Sequence, residues 1–138
     1  MTSGKDPDLS VSLAGLRLKN PVMTASGTFG YGRELAHLMD LNRLGALVTK
    51  GISFAPLSGN RPPRIWETSC GMLNAIGLQN MGVRRFVEDQ LPFLATLTIP
   101  VIVNILGHSL KEYAEVAAYL SDRPGISALE INISCPNV

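Results

Sequence analysis

The chain has 138 residues, of which 46% are hydrophobic and 17% charged, a composition that excludes a disordered tail or a coiled coil and fits one domain with one core. Its 12 basic and 11 acidic side chains are dispersed and leave a formal net charge of +1, so no surface for nucleic acid or an anionic membrane is visible. The sequence contains neither an apolar run of membrane-spanning length nor an N-terminal apolar signal segment, and the cytoplasm is therefore the expected location.

The first predicted elements are a flexible arm and a small hairpin. Residues 1–8 are polar and predict the arm. Apolar and polar residues then alternate over 9–13 and 16–18, on either side of Ala14-Gly15, which is the pattern of a β-hairpin.

Four short apolar runs predict buried strands, because each is bounded by turn-forming or polar residues and is too short for a buried helix. In chain order these runs are 21–25, 45–49, 99–103 and 127–131. Helices are predicted between them over 33–40, over 83–97 with an interruption at Pro92, and over 109–122.

The long excursion over 52–80 is rich in Pro and Gly, and we expect a second hairpin in it at 64–73. The last helix has the clearest start signal, since Ser109 and Glu112 form a capping box.

Strands that alternate with helices predict an α/β fold built from parallel βα units. Polar and glycine residues follow the ends of the predicted strands, where α/β proteins bind their ligands. They include Ser26, Lys50-Gly51, Asn104 and Asn132. None of the strands is followed by the glycine pattern of a dinucleotide site, and the chain has no P-loop motif.

Two side chains stand out as candidates for chemistry. Lys50 ends a buried strand, which is costly unless its charge meets an anion or the polar edge of a cofactor. Cys135 follows the last strand, where a thiol could reach a bound ligand, although a structural cysteine is an equal alternative.

Amides form a second group of candidates, because each can donate and accept hydrogen bonds to a planar ligand. They are Asn74, Asn104, Asn132 and Asn137, each of which could instead be a turn residue. The small residues of the segment 74–80 would let backbone N–H groups approach a ligand such as a carboxylate, and the alternative there is an ordinary loop.

The spacing of His37 and His108 does not fit a metal pair, so we expect no metal site. A hydrolytic dyad of Cys135 with His108 is a weak alternative, since nothing in the sequence supplies a third, orienting residue. Cys70 is read as an inert loop thiol.

Taken in order, five segments of the chain resemble the dihydroorotate dehydrogenases of class 1, and the forms of two of them resemble the class 1B catalytic subunits. The segments are 18–30, 48–51, 71–80, 103–104 and 130–138. The most specific is Asn132-Ile-Ser-Cys-Pro-Asn-Val138, and the class 1B forms are Asn74-Ala-Ile-Gly-Leu-Gln-Asn80 and Gly27-Thr-Phe-Gly-Tyr-Gly32.

The resemblance implies a parallel (β/α)8 TIM barrel with FMN at the carboxyl ends of its strands. Such a barrel needs roughly 250 residues, and the sequence supplies about four βα units and an N-terminal hairpin. Residues 1–138 are therefore expected to be the N-terminal half of a single FMN-binding barrel domain.

The resemblance also implies roles in oxidising dihydroorotate to orotate, a step of pyrimidine (UMP) synthesis. Cys135 would be the catalytic base. The residues expected to bind the cofactor are Ser26, Lys50, Gly51, Asn104 and Asn132. Those expected to bind the substrate are Lys50, Asn74, Ala75, Ile76, Gly77, Leu78, Asn132 and Asn137.

By the same resemblance, electrons would leave through a second subunit that carries FAD and an iron–sulfur cluster, with NAD as the final acceptor, and the protein would be a homo-oligomer. We expect the 138 residues alone to be poorly active. The alternative is a non-catalytic half-barrel that associates with itself through unpaired edge strands.

Overall fold

A computed structural model describes residues 7–135, which form three small sheets and several short helices. The strands are β1 (Val11–Leu13), β2 (Leu16–Leu18), β3 (Leu47–Val48), β4 (Ile65–Thr68), β5 (Gly71–Asn74), β6 (Val101–Ile105) and β7 (Ala128–Ile131). The helices are α1 (Gly82–Arg85), a π-helical segment (Phe86–Gln90), α2 (Leu91–Leu94) and α3 (Leu110–Ser121), with 3₁₀ turns at Arg33–Leu35 and Leu41–Arg43.

The central sheet is parallel and has the strand order β3-β6-β7. This confirms the predicted class of parallel βα units for three of the four expected barrel strands. The residues of β6 are all buried, because the strand lies between two neighbours and is covered on both faces.

Alternation along the strands divides the core into two clusters. Leu47, Val101 and Val103 face the larger cluster, which the helices cover with side chains that include Phe86 and Val116. Ala46, Val48 and Ile102 face the smaller cluster, which Leu18 of the N-terminal hairpin closes. The predicted hairpin therefore covers the second face of the sheet.

Both predicted hairpins are confirmed. Strands β1 and β2 pair antiparallel, with Ala14 and Gly15 at positive φ in the turn. Strands β4 and β5 also pair antiparallel, and all eight of their residues are exposed.

The predicted strand at 21–25 forms only one parallel bridge, between Met23 and Ala46. A side chain takes the place of the backbone ladder: the Thr24 hydroxyl accepts from the Val48 N–H (2.7 Å) and donates to the Val48 carbonyl (2.9 Å). The segment lies beside β3 without becoming a regular strand, so the prediction was wrong in its element type.

The predicted helix over 33–40 was also wrong, since this segment contains only the 3₁₀ turn Arg33–Leu35. The turn begins at Gly32 (φ 86°) without a capping side chain. Instead, the Glu34 carboxylate folds back to accept the Tyr31 N–H at 3.0 Å. The next turn has its own cap, because Asp40 accepts from the Asn42 N–H.

The two later helical regions match their predictions more closely. The helical region over 82–94 changes from α to π geometry just before Pro92, as expected where proline cannot donate to the helix ladder. Helix α3 begins at the predicted cap, with the Ser109 hydroxyl accepting from the Glu112 N–H at 3.2 Å.

Residues 1–6 of the predicted arm lie outside the described part of the chain. Among residues 7–135, none of the helices is long and apolar enough to cross a membrane.

Candidate active site

A cavity of about 390 Å³ opens at the carboxyl ends of the parallel strands. This volume is within the usual range for small-molecule pockets. Nine of the residues singled out from the sequence line it: Ser26, Lys50, Gly51, Asn74, Ile76, Leu78, Asn104, Asn132 and Cys135. Five separate segments of the chain thus meet at one place.

Lys50 and Gly51 enter the cavity directly after β3. The Lys50 N–H donates to the Gly30 carbonyl at 2.7 Å, which holds the backbone against the glycine-rich loop. The ion pairs found among residues 7–135 are Arg85–Asp89 and Lys111–Glu115, so no carboxylate in that part of the chain neutralises the half-buried Lys50. Its ammonium can therefore serve an anionic ligand.

Gly51 is required by close packing. A Cβ at this position would lie 2.7 Å from Asn104 Oδ1 and 2.8 Å from Leu106 Cδ2. Only glycine lets the backbone after β3 lie this close to the Asn104 amide.

Asn104 lies inside β6, one residue before its end, and is buried. The predicted strand ended at Val103, but Ile105 pairs with Ile131 and bridges to Ile52, so the strand continues past the amide. The Asn104 side chain donates from Nδ2 to Glu130 Oε1 at 2.5 Å.

Asn132 follows β7 and is held by its backbone. Its N–H donates to the Ile105 carbonyl at 2.9 Å, and its carbonyl accepts from the Tyr113 hydroxyl of α3. Its side chain reaches Asn104 Oδ1 from Nδ2 at 3.5 Å. Half-buried Cys135 lies three residues further on, in the same loop.

The segment after β5 is fixed by Asn80, which is 7% exposed. Its Nδ2 donates to the Leu78 carbonyl (3.0 Å) and to Ser53 Oγ (2.9 Å), and its Oδ1 accepts from the Gly82 N–H (2.9 Å). These bonds hold Leu78 at φ 54°, a conformation that is uncommon for a leucine. The Asn80 amide therefore positions the loop wall of the cavity.

Two residues of the predicted substrate segment do not line this cavity. The Ala75 N–H donates to the Arg64 carbonyl at 2.8 Å. Gly77 has φ 74°, and a Cβ there would lie 2.7 Å from the Asn60 backbone nitrogen. Asn137 lies outside the described residues.

Lys50 also lines a second cavity, of about 540 Å³, together with Tyr31, Glu34, Asn80 and Arg85 among others. Burial raises the pKa of Tyr31 to about 12, the nearby Glu34 charge adds to the rise, and the Met81 backbone opposes it. The Tyr31 hydroxyl therefore stays protonated even at a pH near 10, where an ordinary tyrosine begins to ionise.

Three residues of the site were not among the cofactor and substrate ligands predicted from the sequence. Gly27 and Ser134 line the first cavity, and Glu130 contacts Asn104 from the neighbouring strand. Residues 130, 132 and 134 share the two-residue period of a strand, which is the signal that could have linked Glu130 to the site.

The described residues contain no group of three or more His, Cys, Asp or Glu side chains that could hold a metal. His108 is exposed before α3 and is not among the residues that line the Cys135 cavity. Cys70 is exposed in the turn between β4 and β5.

Comparison with known proteins agrees with this arrangement of motifs. The sequence model of the dihydroorotate dehydrogenase family matches residues 8–138, which is nearly the whole chain. The chain belongs to the dihydroorotate dehydrogenase family.

Curated members of the dihydroorotate dehydrogenase family are similar to this chain along almost all of it. The protein of Geotalea uraniireducens (strain Rf4) is 59% identical over 132 residues, and that of Geobacter sulfurreducens is 60% identical over 132 residues. Both are named dihydroorotate dehydrogenase B (NAD(+)), catalytic subunit. The matches cover 96% of this chain and 43% of each relative, so the chain spans less than half of their length.

A solved structure shows the same fold. It is a crystal structure of DHODH in complex with ferulenol from Eimeria tenella, which superposes with a TM-score of 0.71 over 99% of this chain and 39% of that chain. Sequence identity is 22%, and the likeness therefore concerns the fold alone.

Proposed function

We propose that residues 1–138 form the N-terminal half of a (β/α)8 barrel in the catalytic subunit of an FMN-dependent dihydroorotate dehydrogenase. The reaction is the oxidation of dihydroorotate to orotate in pyrimidine synthesis. We assign the protein to the cytoplasm. The observation that carries this proposal is the meeting of Lys50, Asn104, Asn132 and Cys135 in one cavity at the carboxyl ends of parallel strands.

The residues of the cavity fit a flavin ring. A Cβ built at Gly27 would meet no atom within 4 Å, so the cavity is open on this side. Lys50 supplies a cation, and the amides of Asn104 and Asn132 supply donors and acceptors for alternating carbonyl and N–H groups. Ser26 and the Gly51 backbone are the remaining proposed contacts of FMN.

Bound FMN would supply the acceptor for a hydride from the substrate ring. Cys135 would take the accompanying proton on its sulfur, so dihydroorotate loses one hydride and one proton to become orotate. A thiolate near the cavity is a chemically suitable base for this transfer.

The substrate would be held from two sides of the cavity. Lys50, which lines the cavity, would face the negative charge of dihydroorotate, and Asn132 and the segment from Asn74 to Leu78 would provide hydrogen bonds to its ring. Asn74, Ile76 and Leu78 line the cavity, whereas Ala75 and Gly77 would contribute through the shape of the loop. Asn137 remains a proposed substrate ligand from the sequence.

Electron transfer beyond the flavin would need a second protein. The relatives' printed name, catalytic subunit, supports a partner subunit. We propose that this partner carries FAD and an iron–sulfur cluster and passes electrons to NAD, and that the assembly also contains more than one copy of the catalytic chain.

A second candidate function is a self-associating scaffold without catalysis. Among residues 7–135, it is favoured by β7, which is the outer strand of the central sheet, and by the exposed residues Ile131 (60%) and Ile133 (84%). An unpaired strand edge beside exposed apolar side chains is a ready surface for association.

One experiment separates the two functions. We expect the protein expressed from its full reading frame to purify with FMN and to lose its yellow colour when dihydroorotate is added without oxygen. An absorbance spectrum and a mass measurement under native conditions record flavin content and assembly together. A colourless oligomer that neither binds FMN nor consumes dihydroorotate would contradict the enzyme and support the scaffold.

A further inference from the structure

Glu130 lies beside the candidate site without lining it. Strands β6 and β7 are parallel and in register, with Asn104 directly opposite Glu130. The side chains of these two residues therefore project from the same face of the sheet. They meet at 2.5 Å, from Asn104 Nδ2 to Glu130 Oε1.

The chemistry of this pair fixes the orientation of the Asn104 amide. An ionised carboxylate only accepts hydrogen bonds, so Asn104 must turn its Nδ2 toward Glu130 and its Oδ1 away. Asn104 is 3% exposed, which leaves little room for water to satisfy the amide in the opposite orientation. The Oδ1 atom is then the group that lies against Gly51.

Asn104 in turn orients the side-chain amide of Asn132. Asn104 Oδ1 accepts at 3.5 Å from Asn132 Nδ2. The backbone of Asn132 is held on both sides, by the Ile105 carbonyl and the Tyr113 hydroxyl, so rotation of its side chain is the freedom that remains. When Nδ2 points to Asn104, the Oδ1 of Asn132 is left to accept a hydrogen bond from a ligand.

We infer that Glu130 is a positioning residue that orients the side-chain amides of Asn104 and Asn132, so that Asn132 presents an acceptor to a ring N–H of the ligand. The identity of that ligand as orotate rests on the proposed function. The direction of the hydrogen bond from Asn104 to Glu130 does not depend on it. Glu130→Gln would weaken the preference of the Asn104 amide for one orientation, because a glutamine amide can face Asn104 with either its oxygen or its nitrogen.

A ligand-free test addresses the first step. Asn104→Asp alone places two carboxylates face to face, and adding Glu130→Gln restores one donor and one acceptor. We expect the folding equilibrium constant of the double variant to exceed that of Asn104→Asp by at least about fivefold, the lower end of the cost of an unsatisfied buried group. Urea unfolding measures this constant, and a double variant no more stable than Asn104→Asp would overturn the inference whatever the protein binds.

A ligand test addresses the second step in the FMN-loaded protein expressed from its full reading frame. Dissociation constants are measured for orotate and for orotates methylated at either ring nitrogen. We expect Glu130→Gln to reduce the preference for orotate over one of the methylated forms by roughly 2- to 10-fold, the value of one hydrogen bond. A merely structural role would weaken all the ligands alike and leave the ratios unchanged.

Glu115→Gln is the matched control, since Glu115 makes an exposed ion pair with Lys111 on α3. It should keep the wild-type ratios. If the wild type binds orotate and Glu130→Gln leaves the ratios of dissociation constants unchanged, the inference about Glu130 is overturned, but the proposed function is not. A wild-type protein that binds neither FMN nor orotate would contradict the proposed function, and the unfolding test would still decide whether Glu130 orients Asn104.

Discussion

Replacing Cys135 with serine should slow the reduction of bound flavin by dihydroorotate by about 10²- to 10⁴-fold, the usual contribution of a general base. Serine keeps nearly the size of cysteine, but its hydroxyl is far less acidic than a thiol and is a poor source of the basic form near pH 7. Cys135 lines the cavity beside Asn132 and Ser134, so the change is made at the proposed reacting position.

Stopped-flow absorbance without oxygen measures this rate in the protein expressed from its full reading frame. Dissociation constants for FMN and orotate should stay within about twofold of the wild-type values, because the substitution is nearly isosteric. Cys70→Ser is the matched control, since Cys70 is exposed in the turn between β4 and β5. Equal rates for Cys135→Ser and wild type would remove Cys135 from the role of base.

Replacing Lys50 with methionine should weaken orotate binding by about 10- to 100-fold, the value of a hydrogen bond to a charged group. Methionine retains much of the length and the apolar stem but removes the ammonium group. Since none of the ion pairs found among the described residues uses Lys50, the lost charge is the one available to the ligand. FMN affinity should fall as well, because Lys50 is also a proposed flavin contact.

Calorimetric titration with orotate and with FMN separates the two losses, and circular dichroism checks that the variant is folded. Lys111→Met is the control, since Lys111 lies on the exposed side of α3 in a long ion pair of 3.8 Å. Wild-type affinities for both ligands in a folded Lys50→Met protein would contradict the assignment of Lys50.

The elements that could be predicted from sequence are those whose signals are local. The cap at Ser109 and the alternation around Ala14-Gly15 each act within a few residues, and both elements are observed as expected. The segments 21–25 and 33–40 differ because side chains of Thr24 and Glu34 compete for backbone groups. A hydrophobic pattern does not reveal which hydroxyl or carboxylate will replace a backbone partner.

The residues of the candidate site also differ in whether a local sequence signal predicts them. Lys50 and Cys135 could be proposed because each follows a predicted strand, and parallel strands end at one edge of the sheet. Strand periodicity could link Glu130 to the site, but its contact with Asn104 could not be predicted, since that contact depends on the register between β6 and β7. Ala75 and Gly77 were predicted from a continuous motif, but the loop turns alternate residues away from the cavity.

A crystal structure of the protein expressed from its full reading frame, with FMN and orotate bound, would show whether dihydroorotate is oxidised in this cavity. We expect the flavin ring to lie against Lys50, Asn104 and Asn132, and orotate to lie between that ring and the sulfur of Cys135. Orotate bound instead in the neighbouring cavity beside Tyr31, out of contact with Cys135, would contradict this expectation.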